Sequence, residues 1–171
     1  MIQEIQGLCP KIGPNCFIAP TAAVVGDVTM GEECSIWYSA VLRGDVNYIR
    51  LGNQTNVQDC ACLHVSDADG YLIVGDRVTI GHNACVHACR IGDDVLIGMG
   101  ATVLDGAVIA SGSVVAAGAL VLGKTQIGPN ELWGGVPAKL IKKLTDEDVE
   151  RIVKVGNRHY VHWTKVYQNE G

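Results

Sequence analysis

Two histidines fall within 80-IGHNACVH-87, and a third, His64, closes the segment 56-NVQDCACLH-64. These three imidazoles sit within 24 residues of a chain that has five histidines in all. Neutral imidazole suits Zn²⁺, Fe²⁺ and Co²⁺. Three such ligands with an open fourth position make a catalytic zinc set. The same rings could equally be solvated or make ordinary hydrogen bonds. The choice depends on where the fold points each ring, and so on the elements that carry them.

Those elements are set by an internal repeat of period six. Aliphatic residues recur at Ile12, Ile18, Val24, Met30, Ile36 and Leu42, then at Leu51, Val57 and Leu63, then at Val74, Ile80 and Val86. The register resumes at Ile91 and runs every sixth residue to Ile127. A small or short side chain often follows four residues later, as at Thr55, Ala61, Ala84, Ala101 and Ser113. Period six is wrong for an α-helix, whose apolar face recurs near 3.6, and for simple alternating strands, whose period is two. It fits a parallel β-helix with three short strands per coil, each coil burying its aliphatic residues against its neighbours. The nineteen hexads predict about six coils.

Composition agrees. Hydrophobic residues make up 48% of the 171 residues but aromatics only 5%, so the core is Val, Ile, Leu and Ala, types suited to stacked strands. A net charge of −5 and a pI near 5.4 argue against a nucleic-acid partner. No apolar run reaches membrane-spanning length, and MIQEIQGLCPKIG has no signal-peptide pattern. A cytoplasmic location is therefore expected. The seven cysteines, an odd number, are read there as free thiols.

The repeat ends near Trp133, dividing the chain into a repeat region, 1–134, and an appended region, 135–171, of the same domain. In the latter, Pro137 marks a turn and 134-GGVPAKLIKKL-144 is a turn with a basic stretch. Residues 145–167 read as a helix, with Thr145 as N-cap and Asp148 in the capping-box position. Val149, Ile152, Val153 and Tyr160 give it an apolar face, and Gly156 weakens or kinks it. The helix is expected to pack along the outside of the prism.

The register then places the histidines. Leu63 and Val74 are eleven residues apart, so 65-VSDADGY-71 holds a five-residue bulge. With that removed, Leu63 and Val86 are equivalent in adjacent coils. His64 and His87 then stack, pointing outward, roughly 4.8 Å apart. His82 lies two residues after Ile80, on a different face. It can join the pair only across a three-fold oligomer, which favours an intersubunit His₃ site. Cys62 and Cys85 precede Leu63 and Val86 and raise a rival Cys₂His₂ zinc set. Residues two apart on a strand lie about 6.5 Å apart, too far for one undistorted tetrahedral ion.

The hexad pattern resembles the hexapeptide-repeat, left-handed β-helix superfamily, and the left hand is taken from that resemblance. Within it, 42-LRGDVNYIRLGNQTNVQDCACLHV-65, 80-IGHNACVH-87 and 97-IGMGA-101 together resemble the γ-class carbonic anhydrases. The resemblance covers most of residues 10–145. It implies a homotrimer binding Zn²⁺, or Fe²⁺ or Co²⁺, through His64, His82 and His87, two ligands from one subunit and one from its neighbour. It implies a lyase hydrating CO₂ to bicarbonate by metal-bound hydroxide. Gln58 is matched to the residue that hydrogen-bonds the bound water or CO₂, with Asn56 in support and Tyr160 reaching in from the helix. Arg43, Asp45 and Asp59 are matched to charged contacts around the site and between subunits. Two departures stand out. Val46 replaces a glutamate of the family pattern, and the long acidic loop with its proton-shuttling glutamate is cut to 65–71, with only Asp67 and Asp69 as carboxylates. Two other functions stay open. One is an acyltransferase using acyl-coenzyme A, though the 136-VPAK-139 turn occurs in both groups. The other is a non-catalytic, metal-binding trimeric module.

Overall fold

The computed structural model describes residues 1–170. The chain is mainly β, a parallel solenoid of about seven turns followed by one C-terminal helix. The count exceeds the expected six because Ile2–Gln3 already pairs in parallel with Val24–Val25, adding a course before the first hexad.

Three columns of strands, most of them two or three residues long, form the prism. One runs through Ile18, Ile36, Val57, Ile80, Ile97 and Val115, and ends on Trp133. A second stacks Val24, Leu42, Leu63, Val86, Val103 and Val121. The third stacks Ile12, Met30, Leu51, Val74, Ile91, Ile109 and Ile127. Almost all of these aliphatic side chains are buried, as are Thr55, Ala61, Ala84, Ala101 and Ser113 at the small positions. The core is therefore one continuous ladder along the prism axis.

Most corners take a left-handed backbone at the third residue after the aliphatic. Asn15, Glu33, Ser39, Gln54, Cys60, Arg77, Asn83 and Asp94 all adopt φ between 53° and 61° there. Each such non-glycine corner costs about 1–2 kcal/mol, which coil-on-coil burial outweighs. The glycine directly after the aliphatic has a different cause. At Gly98 a Cβ would run into the backbone of Ala116 and Ala117 in the next coil.

Two insertions interrupt the ladder on the same edge. One lies in the long strand Val41–Leu51, where four residues separate Gly44 from Ile49 but only one separates their partners Gly26 and Val28. The second is 65–71. They stack on each other: the Asn47 amide donates to the carbonyls of Ala68 (2.8 Å) and Ser66 (3.2 Å). The Tyr48 and Tyr71 rings lie parallel, 5.0 Å apart. Arg50 covers Tyr48 and Arg90 covers Tyr71, so the column is closed by cations on π faces.

The basic stretch after Trp133 is a strand rather than an extended turn. Lys139–Lys143 pairs antiparallel with Glu131–Gly134. Glu131 accepts from the Trp133 indole at 2.7 Å and pairs with Lys143, closing the top of the prism. Helical structure then runs from Asp146 to Glu170, with the expected capping box between Thr145 and Asp148. The turn Glu150–Lys154 is π-helical. The helix docks through interlocked rings, Trp37 meeting Tyr160 and Tyr167 edge-on and Phe17 packing beside them. Asn157, buried, donates to the Gln54 carbonyl at 2.8 Å. Among the described residues no helix is long and apolar enough to cross a membrane.

Two glycines separate the reasons for glycine. Gly156 sits in the exposed helix, where a Cβ would meet nothing within 4 Å. Gly156→Ala should raise stability by about 0.5–1 kcal/mol, whereas Gly98→Ala should lower it by about 1–3 kcal/mol. Urea unfolding midpoints of the two variants should move in opposite directions.

Candidate metal centre

The coil register brings His64 and His87 together as the spacing predicts. Strand Cys62–His64 pairs with Cys85–His87, and the two histidines are direct partners. Nδ1 of His64 lies 3.0 Å from Nε2 of His87. The other nitrogen of each ring is held by a carboxylate. His64 Nε2 lies 3.1 Å from Asp45 Oδ1, and His87 Nδ1 lies 2.6 Å from Asp105 Oδ1. Asp45 is steadied by Arg43. Asp105 accepts at its second oxygen from the Ser66 hydroxyl at 2.5 Å.

These contacts fix the tautomers. A ring that donates to a carboxylate through one nitrogen presents a lone pair on the other. His64 and His87 therefore aim two lone pairs at each other across 3.0 Å. That arrangement is repulsive unless a proton or a metal ion stands between them. Burial alone would raise the Asp45 and Asp105 carboxyls, but hydrogen bonds outweigh it and hold both below the ordinary value. Those bonds come from Arg43 and His64 at Asp45, and from Ser66 and His87 at Asp105. Both carboxylates are thus kept as acceptors.

His82 lies on the neighbouring face, two residues after Ile80, in a second group. Its Nδ1 is 2.8 Å from Asp59 Oδ2, which leaves Nε2 to accept from the Tyr160 hydroxyl at 3.4 Å. Burial, and then the charge of Asp59, push the Tyr160 phenol above its usual value. Gln58 is buried; its Oε1 accepts from the His82 backbone N–H at 3.2 Å and its amide donates to Asn56 at 3.2 Å. Asn56 donates in turn to the Thr79 hydroxyl at 2.8 Å. The chain therefore assembles two separate groups. Arg43, Asp45, His64 and His87 form one; Asn56, Gln58, Asp59, His82 and Tyr160 form the other. Among the described residues, no three His, Cys, Asp or Glu side chains of the one chain can share an ion.

That absence removes the Cys₂His₂ alternative within the chain. Cys62 and Cys85 are register partners, but each stands two positions along the strand from its histidine. Both are free thiols, as are the other five cysteines. Asp67 and Asp69 are exposed, and no hydrogen bond or ion pair joins their side chains to His64 or His87. Val46 is 51% exposed. Asp105 and Ser66 are functional candidates that sequence reading missed. A signal existed for Asp105: it follows His87 by 18 residues, one ideal coil. Asp59 precedes His82 by 23, which is 18 plus the five-residue bulge.

A family model described as bacterial transferase hexapeptide (six repeats) matches residues 9–44 and 88–123. Gamma carbonic anhydrase 2, mitochondrial, of Arabidopsis thaliana is 44% identical over 94% of this chain and 59% of its own length. The chain thus spans little more than half of such plant relatives. A protein of Methanocaldococcus jannaschii named "probable carbonic anhydrase" is 52% identical over 82% of this chain and 88% of its own length. A Bacillus cereus structure, solved under a provisional acetyltransferase name, is 42% identical with a TM-score of 0.96, covering 100% of this chain and 98% of its own.

The tautomers are directly measurable. ¹⁵N ring correlations should show a proton on Nδ1 of His82, Nδ1 of His87 and Nε2 of His64, the nitrogens that face Asp59, Asp105 and Asp45. Asp105→Asn should convert His87 to a mixture and leave His82 unchanged.

Proposed function

The chain belongs to the γ-class carbonic anhydrase-like family of hexapeptide-repeat proteins, and on that premise we propose that it is a metal-dependent lyase of the cytoplasm that interconverts CO₂ and bicarbonate at a site shared between the subunits of a homotrimer. The observation that carries this reading is the pair of facing lone pairs on His64 and His87. An electrophile belongs between them, and both imidazoles are already oriented by carboxylates. Carboxylate-held histidines are the usual support of a metal ligand. The donor set therefore fits a divalent ion.

His82 is the third ligand, delivered by a neighbouring copy because it stands on a different face from the other two. Its Nε2 is unclaimed by the Asp59 contact. Three neutral imidazoles suit Zn²⁺, Fe²⁺ or Co²⁺. Such an ion supplies a Lewis acid that brings the pKa of a water toward neutrality. The chain's own groups do the rest. Three carboxylates, Asp45, Asp59 and Asp105, set one imidazole tautomer each. Gln58 is anchored at both ends of its amide, to Asn56 and to the His82 backbone, and keeps one N–H to orient a small oxygenated substrate. Tyr160 sets a second donor beside it.

Proton export has no dedicated carboxylate in this chain, since Val46 is apolar and Asp67 and Asp69 face solvent. The proton passes to solvent buffer. Acyl transfer, the activity behind the name of the Bacillus cereus structure, is the second reading. Against it, 65–71 is too short for the extruded loop of such enzymes, and three registered histidines exceed the one that general-base catalysis needs.

Purified protein should bind one ion per chain and sediment as a trimer. His82→Ala should lose the ion while keeping the fold, and Asp105→Asn should weaken metal binding by about 10–100-fold. CO₂ hydration should be seen with Zn²⁺ or, anaerobically, Fe²⁺, and its turnover should climb with buffer concentration. No hydration with either ion would leave a binding module. A buffer-independent rate would show that some group in the chain carries the proton.

A further inference from the structure

Between the helix and the first column of the prism lies a cavity of about 440 Å³. Its floor is the small residues Gly98, Ala116 and Ala117. Leu96 rises from the prism side and Ile152 from the π-helical turn. Gly156 leaves the helix wall open, since a Cβ there would meet nothing within 4 Å. No charged side chain lines it. The polar groups are Gln58, Tyr160 and Thr79, the first two of which also flank His82.

CO₂ is a three-atom molecule and uses none of this volume. Cavities of about 300–1,000 Å³ take whole organic ligands, with apolar walls and a few placed polar groups. Here one free donor stands beside an apolar trough. Gln58 Nε2 spends one proton on Asn56 and keeps the other, whereas the Tyr160 hydroxyl is turned to His82 Nε2. The free N–H recognises an oxygen that accepts, and the uncharged trough recognises a saturated chain. We propose that this cavity holds the aliphatic chain of an acyl compound, with its carbonyl or carboxylate oxygen at Gln58. Its oxygen would lie beside His82, making an acyl compound a further ligand next to the CO₂ site. That link rests on the metal-site reading, whereas occupancy of the cavity does not.

The test uses metal-free, full-length protein titrated calorimetrically with octanoate, and with acetate as the tail-less control. Octanoate should saturate at one per chain, and acetate should bind at least about 100-fold more weakly, given the six methylenes it lacks. Gly156→Leu, which fills the trough from the helix side, should weaken octanoate at least tenfold. Gly156→Ala should bind like the parent and report that helix substitutions as such are harmless. Equal affinity for acetate and octanoate would overturn the proposal. So would octanoate binding unchanged in a folded Gly156→Leu protein, or no saturable binding at all. Metal content of His82→Ala is read separately: if the ion stays, the metal assignment fails while the cavity result stands.

Discussion

A hexapeptide coil has no interior of its own. Its three aliphatic side chains are buried only when another coil lies on each side, so every residue's surroundings are set by what stands one coil above and below. This stacking constraint governs all else in the molecule. It tolerates non-glycine residues in left-handed corners such as Asn83 and Asp94. It forbids a Cβ at Gly98. It also permits insertions at corners, provided the ladder closes again afterwards, as it does at Ile49 and at Leu72. Function enters at those insertions. The 45–48 and 65–71 segments supply Asp45 and Ser66, the outer contacts of the histidine pair, without disturbing the buried columns.

The same constraint makes the histidine pair a strained arrangement rather than a passive one. Side chains on adjacent parallel strands sit one strand spacing apart whatever their chemistry. Placing imidazoles at partnered positions would ordinarily allow one ring to donate to the other. Asp45 and Asp105 remove that option by taking the donor of each ring. The carboxylates thus turn a stacked pair into two acceptors facing one point, which on the proposed reading a third donor completes. The prism geometry cannot deliver that donor within the chain, because His82 belongs to another column. On the proposed reading, self-association and ion binding are one problem, and neither group of residues holds an ion alone.

How much of this was legible in the sequence follows from the same physics. The columns, the buried small residues and the His64–His87 partnership were readable because a period of six and a five-residue bulge are arithmetic on residue numbers. Corner conformations were less so: glycine after the aliphatic drew attention, whereas the left-handed position is two residues further on, at non-glycines such as Gln54 and Cys60. The hand of the coil left no trace in spacing. Asp105 was overlooked because an aspartate in a turn such as 104-LDG-106 has an ordinary local explanation, and only its 18-residue offset from His87 distinguishes it. The strand Lys139–Lys143 was hidden by its exposure on both faces, with no apolar alternation to mark it. Tyr160 entered by resemblance, and the reason it reaches His82 lies in Asn157 and Trp37, whose contacts cross more than 100 residues of chain.

The π-helical turn belongs to the last class, set by packing between distant elements. An extra residue in one helical turn widens it, and such turns commonly sit beside functional sites. Here Glu150–Lys154 comes between two fixed attachments. The capping box at Thr145 and the cluster of Val114, Leu144, Val149 and Val153 hold the start of the helix to the upper coils. Asn157 and the aromatic lock hold its later part to the lower ones. A regular helix between those points would rotate Tyr160 by the angular share of one residue, roughly 100°, away from His82. The widened turn keeps Tyr160 aimed at His82 while its own Val153 packs on the prism, and Gly156 leaves the space beyond it unfilled. The same local irregularity therefore places the phenol and leaves the apolar cavity beside it, so site and cavity share a structural cause.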